Sequence, residues 1–160
     1  MNLKNTLLFA SILLINFGGL AIGGWFTGPG VQSEWYAALP KAPWTPPGWV
    51  FGAAWTVVMV GFSVFGYVIL TRAKTKGSRS RWLSWLILSW ILNVGWNPLF
   101  FRWHLLQWAL VEITLLLALT LWLFLCGWKE LGGKSAVWSL APYSAWLMIA
   151  TSLNAYSLFH

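Results

Sequence analysis

The sequence predicts an all-α membrane protein, a bundle of five transmembrane helices with a long ordered first loop. Three observations lead there. Hydrophobic residues make up 59% of the 160 positions and charged residues only 8%, whereas soluble domains carry about 25% charge. Mean hydropathy is +0.68, and the apolar residues gather into five runs, each of membrane-crossing length. With no water to satisfy backbone groups inside a bilayer, such runs must be helical, and the period-two alternation of a β-barrel is absent. Cys126 is the one cysteine, which excludes an internal disulfide scaffold.

The first run covers 6–25, uncharged throughout and long enough to cross about 30 Å of hydrocarbon. It follows Lys4 in the manner of a signal peptide, but it exceeds the usual apolar core of one and lacks a small-x-small cleavage site. A retained helix is expected. The second run covers 48–71, the third 82–101, the fourth 105–128 (interrupted by Glu112) and the fifth 135–159. Of the connections, 72–81 is expected as a basic loop, with Arg72, Lys74, Lys76, Arg79 and Arg81. Residues 129–134 form a short glycine turn, and 102–104 a tighter one. The segment 26–47 carries Pro29, Pro40, Pro43, Pro46 and Pro47 among aromatic residues, and it is expected to be an ordered lid.

Counting Lys and Arg by side gives the orientation. Lys4, the five cations of 72–81, Lys129 and Lys134 share one face, against Lys41 and Arg102 on the other. The positive-inside rule then puts the N-terminus in the cytoplasm and the C-terminus outside, as expected for a multi-pass protein of a bacterial-type cell membrane. The net charge of +7 belongs to this asymmetry, and no nucleic-acid partner is expected. The basic loop is read as an orientation signal, with recruitment of anionic lipid as the alternative. No internal repeat is visible, which disfavours an inverted-repeat transporter.

Candidate chemistry lies on helix faces. Gly48, Gly52, Trp55, Met59, Ser63 and Gly66 share one face of the second run: either close packing around a structural indole, or a space into which Trp55 projects. The fifth run presents Ser135, Ser139, Pro142, Trp146, Ala150, Asn154 and Ser157, a small and mildly polar face that belongs inside the bundle, with Pro142 a possible kink. The third run aligns Trp85, Ser89, Asn93, Trp96 and Phe100, and Asn93 needs a polar partner or a ligand. Trp108 and Glu112 stand one turn apart on the fourth. Glu112 is a candidate proton or polar site, or else an interhelical hydrogen-bonding group.

Familiar catalytic sets are missing. His104 and His160 are the only histidines, no metal-ligand cluster forms, and no nucleophile–base–acid set can be assembled. What remains is an aromatic, weakly polar pocket suited to a flat hydrophobic ligand.

The motifs resemble one family closely. Trp35-Tyr36, the stretch Pro43-Trp44-Thr45-Pro46-Pro47-Gly48-Trp49-Val50-Phe51-Gly52 and Trp55 resemble the first-loop and second-helix signature of the TspO/MBR family, the tryptophan-rich sensory and translocator proteins. The resemblance runs on through Leu92-Asn93, Trp96, Pro98 and Phe100-Phe101, Trp108 to Glu112, and Pro142-Tyr143, Trp146, Ala150-Thr151 and Leu153-Asn154. It spans nearly all of 1–160 as one transmembrane domain.

This resemblance implies a five-helix bundle, often a homodimer, that binds a porphyrin such as protoporphyrin IX or haem and requires no other cofactor. By motif position Tyr36, Trp55, Asn93, Trp96, Trp108, Trp146 and Ala150 are expected to bind the ligand. It also implies possible light-dependent porphyrin breakdown involving Trp55 and Trp146. A photodegrading enzyme and a transporter of small hydrophobic ligands therefore stand as alternatives to a sensory binding protein. The family's sterol motif needs a cation after Tyr156, and Ser157, Leu158, Phe159 and His160 supply no fixed one, so sterol binding is not expected. Asn97 departs from the family pattern in a way that alters pocket polarity. The expected placement puts the porphyrin between the Trp55 and Trp146 faces, beneath the lid, with propionates toward Lys41, Arg102 and Tyr36.

Overall fold

A computed structural model describes residues 2–133 and 135–160; Lys134, counted above among the cations, lies outside them. The described chain is built from helices: α1 (Leu3–Val31), the short α2 (Glu34–Ala38), α3 (Gly48–Arg72), α4 (Lys76–Asn97), α5 (Leu106–Glu130) and α6 (Ala141–Phe159). A wide π turn, Pro98–Arg102, closes α4, and a 3-10 turn, Ser135–Leu140, precedes α6. By length and composition, α1, α3, α4 with its π turn, and α5 can each cross a membrane. The fifth long helix, α6, has 19 residues, about 28 Å at 1.5 Å per residue, and packs against α5 and α3.

The helices begin and end at places that hydropathy does not mark. Helix α4 starts six residues before the third apolar run, because Thr75 caps it by accepting a hydrogen bond from the Ser78 N–H at 3.0 Å. Most of the expected basic loop is therefore helix: Lys76, Arg79 and Arg81 stand on an extension of α4, Arg72 ends α3, and Lys74 lies between them. Helix α1 likewise continues past residue 25 to Val31, carrying Pro29 within it. Tertiary contact overrides the poor helix propensity of Gly28-Pro29-Gly30: Thr27 donates to Asn97 Oδ1 at 2.9 Å, and Gly30 lies flat against Phe101. Residues 135–140 are not the first turns of the last helix. Pro142 sits in the opening turn of α6, where its missing N–H costs nothing, so it starts the helix instead of kinking it. The 3-10 turn before it presses the Ser139 carbonyl onto Gly61 of α3, at a spot with no room for a Cβ. Gly132 and Gly133 turn the chain after α5 with φ of +64° and +74°, the left-handed region that suits glycine.

Helix α1 runs antiparallel to α3, with Phe9 edge-on to Tyr67, and alongside α4, where Trp90 donates to the Ile15 carbonyl at 3.1 Å. One end of the bundle thus gathers Lys4, the cations of 72–81 and Lys129. The short α2 and the loop after it cover the other end. The core between α3, α4, α5 and α6 centres on Phe62, Phe65, Leu116, Leu123, Tyr143 and Leu147, all buried. Because lipid is as apolar as these side chains, close packing and interhelical hydrogen bonds carry the association. Asn16 donates to Ser63 at 2.8 Å and Ser63 donates to the Met59 carbonyl, joining α1 to α3 through two buried polar residues.

Candidate functional site: an aromatic cavity beneath a tied lid

Small residues on facing helices leave a space of about 780 Å³ at the lid end of the bundle. Its walls come from α1, α3, α4 with the π turn, and α6; its cover comes from α2 and the residues that follow. From α3, Gly48, Gly52 and Trp55 face it, so the small-residue stripe serves a cavity at this end. The same stripe packs against α1 lower down, through Ser63. From α6, Ala150, Asn154 and Ser157 line it, and from α4, Asn93, Trp96 and Phe100.

The polar groups in this wall hold one another. Trp96 donates its indole N–H to Asn154 Oδ1 at 3.2 Å while Asn154 donates to the Leu106 carbonyl at 3.1 Å, linking α4, α6 and the start of α5. Trp96 also stacks on Phe100, centroids 4.8 Å apart. Asn93 donates to the Tyr143 hydroxyl at 2.9 Å. Asn97 accepts from Thr27 and donates to the Asn93 carbonyl at 3.2 Å, closing its own helix turn. Asn97 is thus a lining residue whose polarity is spent on α1 and on its own helix, which accounts for its place in the wall.

The lid is tied on two sides. Ser33 caps α2 by accepting from the Tyr36 N–H and itself donates to the Gly30 carbonyl, fixing α2 to the end of α1. Trp35 stacks on His104 with centroids 3.8 Å apart and meets Phe100 edge-on, and Tyr36 leans on Phe101. His104 adopts φ of 57°, an uncommon region for a residue with a side chain, and the Trp35 stack holds it there. On the opposite side Trp44 donates to Ser152 Oγ at 3.1 Å and packs edge-on against Tyr156, while Ser157 donates to the Pro40 carbonyl at 2.9 Å. The proline-rich segment is therefore an ordered strap from the α4–α5 connection to α6. Tyr36 lines the cavity, and burial pushes its phenol above the ordinary tyrosine value.

Several expected residues take other places. Trp146 is buried behind the wall. Its ring meets Trp55 at 6.4 Å and 80°, and Phe51 at 5.2 Å and 83°. The two indoles are in edge contact, so no planar guest fits between them; the open space lies on the cavity side of Trp55. Trp108 is 63% exposed and outside the lining, because α5 packs on α4 and α6 from the far side. Glu112, also on α5, points inward toward Gly95, with both carboxyl oxygens buried and without a hydrogen-bond partner among the described residues. Arg102 is exposed and outside the lining. Lys41 does line the cavity, yet its ammonium donates to the Tyr36, Ala37 and Leu39 carbonyls and lies 4.8 Å from the Tyr36 ring centre. It closes the C-terminus of α2, where a cation suits the helix dipole. Gly19, Gly23, Gly24 and Thr27 of α1 also line the cavity. The four-residue spacing of Gly19 and Gly23 was the sequence signal for that close-packed face.

Among the described residues no group of His, Cys, Asp and Glu can hold a metal ion. The arrangement offers an apolar, aromatic-walled space in which Asn93, Trp96, Asn97 and Asn154 are hydrogen-bonded within the protein.

Comparison with known proteins agrees with this architecture. The chain is 33% identical over 147 residues to the tryptophan-rich protein TspO of Archaeoglobus fulgidus, covering 92% of both chains. It is 32% identical over 153 residues to the translocator protein of Bos taurus, covering 89% of this chain and 82% of the relative. Against the tryptophan-rich sensory protein of Cereibacter sphaeroides it is 32% identical over 124 residues, covering 76% and 73%. The family model for TspO/MBR matches residues 11–159, and the chain is a multi-pass membrane protein belonging to the TspO/MBR family.

Proposed function

We propose that the protein is a membrane receptor for a tetrapyrrole, holding a porphyrin such as protoporphyrin IX or haem in the cavity beneath the lid. The observation that carries this reading is the cavity itself. At about 780 Å³ it falls within the usual range for small-molecule sites, roughly 300–1,000 Å³, and Phe51, Trp55, Trp96, Phe100 and Phe101 present ring surface to it. A flat aromatic guest gains stacking contact on such walls. In this reading the macrocycle lies against the cavity face of Trp55, with Trp146 as its backing. The propionates lie toward Tyr36 and Lys41, where one ammonium donor turns from the α2 carbonyls to the carboxylate.

The cation-rich end is cytoplasmic in this reading, and the lid faces outward. The protein acts as a homodimer, in keeping with the implied family habit.

The test is a titration of detergent-purified protein with protoporphyrin IX, haem and a sterol, followed by Trp fluorescence in darkness and in light. Saturable quenching by the porphyrins and none by the sterol is expected. Absence of porphyrin quenching, or equal binding by the sterol, overturns the reading. The contact between Trp55 and Trp146 favours one second reading, photochemical breakdown of the bound porphyrin by an indole pair. Loss of the porphyrin spectrum under illumination, dependent on both indoles, is its mark.

A further inference from the structure

We propose that the cation-rich end of the bundle holds an anionic phospholipid, one acyl chain lying in a groove between α1, α3 and α4. This groove is separate from the aromatic cavity and encloses about 180 Å³. Ile12 and Ile15 of α1, Phe62 and Leu70 of α3, and Leu83 and Ile87 of α4 form most of its wall, with Gly66 at the floor. Ile15, Leu83 and Ile87 are about half exposed, so the groove opens on the outer side of the bundle.

Its few polar groups are already engaged. The Asn16 amide donates to Ser63, which donates onward to Met59, and the Trp90 indole N–H is spent on the Ile15 carbonyl. Nothing inside calls for a polar guest, and a hydrocarbon chain satisfies the groove completely.

The choice of lipid comes from the charges at the groove's end. On α4, Leu83 and Ile87 lie on one stripe that continues at three- and four-residue steps back to Arg79 and Lys76. On α1, the stripe through Ile15 and Ile12 leads back to Lys4. Beyond Leu70, near the end of α3, Lys74 follows in the short connection to α4. Because α1 runs alongside α4 and against α3, Lys4, Lys74, Lys76 and Arg79 all lie at one end of the bundle. All four of these cations are exposed. The carboxylate at this end, Glu130 of α5, accepts from Ser78 at 3.3 Å, so four cations stand against one acid. A groove for an acyl chain whose end of the bundle carries the ammonium and guanidinium groups of Lys4, Lys74, Lys76 and Arg79 matches a lipid with a phosphate and net negative charge, and gives a neutral one less to hold. Lys and Arg this close to an apolar wall also reach the headgroup level by extending their stems.

The experiment is native mass spectrometry of the whole, delipidated protein mixed with phosphatidylglycerol or phosphatidylcholine of identical acyl chains. Phosphatidylglycerol is expected to stay bound at roughly tenfold lower added lipid than phosphatidylcholine. The Lys4→Gln/Arg79→Gln double variant is expected to erase that preference while leaving porphyrin quenching intact. Leu83→Trp, or Ile87→Trp, fills the groove and is expected to reduce retention of both lipids. Equal retention of the two lipids by the unaltered protein overturns the proposal, as does a preference that survives the double variant. Leu83→Cys in a Cys126→Ser background supplies the remaining arm: efficient cross-linking of two copies in lipid-replete membranes means that a second copy fills the groove, and overturns it as well.

Discussion

Trp55 and Trp146 meet edge to face, ring centroids 6.4 Å apart and planes at 80°, with Trp55 at the cavity and Trp146 sealed behind it. The two indoles therefore do different work. Trp55→Phe is expected to weaken protoporphyrin IX binding about five- to tenfold, the value of roughly 1 kcal/mol of ring contact. Trp146→Ala is expected to cost stability first, roughly 3 kcal/mol for an emptied indole site. Fluorescence titration beside thermal unfolding in detergent separates the two. A Trp146→Phe protein of normal stability that loses as much affinity as Trp55→Phe would place Trp146 against the guest.

The lid's tie to α6 sets how quickly a guest leaves. Trp44→Phe keeps the ring against Tyr156 but removes the donor to Ser152, and Ser157→Ala removes the bond to the Pro40 carbonyl. Each is expected to speed porphyrin release severalfold, about 1 kcal/mol per bond, with little change in melting temperature. Stopped-flow displacement measures the release rates. Unchanged rates in the double variant would mean that the lid does not gate the cavity.

Tyr36 gives the lid an alkaline limit. Its folded pKa is raised above the ordinary 10.0 by burial, so the unfolded lid loses its phenolic proton first as pH rises. The neutral phenol's contribution to stability is complete below pH 10.0 and declines as pH climbs through the folded value. In a difference titration at the phenolate absorbance band, the transition missing from Tyr36→Phe should lie above that of free tyrosine. A transition at or below the ordinary value would contradict the buried placement.

Gly23 tolerates no side chain. A Cβ there would stand 2.7 Å from the Asn97 amide nitrogen, so Gly23→Ala must push Asn97 aside and break its bond with Thr27. The expected cost is about 1–3 kcal/mol, read as a lowered melting temperature, together with a smaller cavity and weaker porphyrin binding. Gly18→Ala, where a Cβ meets nothing within 4 Å, is the matched control and should be silent.

Glu112 holds two buried oxygens without a hydrogen-bond partner among the described residues. Glu112→Gln keeps the shape and cannot ionise, so it is expected to melt at the same temperature or higher, since a lone buried carboxylate is costly. Because α5 lies outside the cavity wall, porphyrin affinity should be unchanged. A fall in melting temperature would show that an ionised Glu112 meets a cation in the folded protein.

The membrane runs were legible because a bilayer imposes them, whereas helix ends were not, because water does not. Thr75 caps α4 within a stretch whose charges look like loop, and Gly30 against Phe101 carries α1 through residues that ordinarily break a helix. The third and fifth stripes were read as inward faces, and Asn93, Trp96, Phe100, Ala150 and Asn154 on them line the cavity, since periodicity identifies a shared face. It does not say which neighbour that face meets. Trp108 fell outside because the position of α5 is set by its packing on α4 and α6, and an indole at an interface reads the same as one in a site. The edge contact of Trp55 with Trp146 was beyond reach for the same reason: two inward rings are foreseeable, the gap between them is not.

Gly19, Gly23 and Gly24 leave part of the α1 flank of the chamber as bare main chain, between the side chains of Leu20, Thr27 and Val31. Peptide groups are the same whatever residue bears them, and a Cβ at Gly19 or Gly23 would collide with Trp90 or Asn97, so those two positions cannot be used to retune it. A change of preferred guest then falls mainly to the side chains of the other three helices and the strap, and a redesign for a different chromophore should begin at Phe51, Phe100 and Ala150.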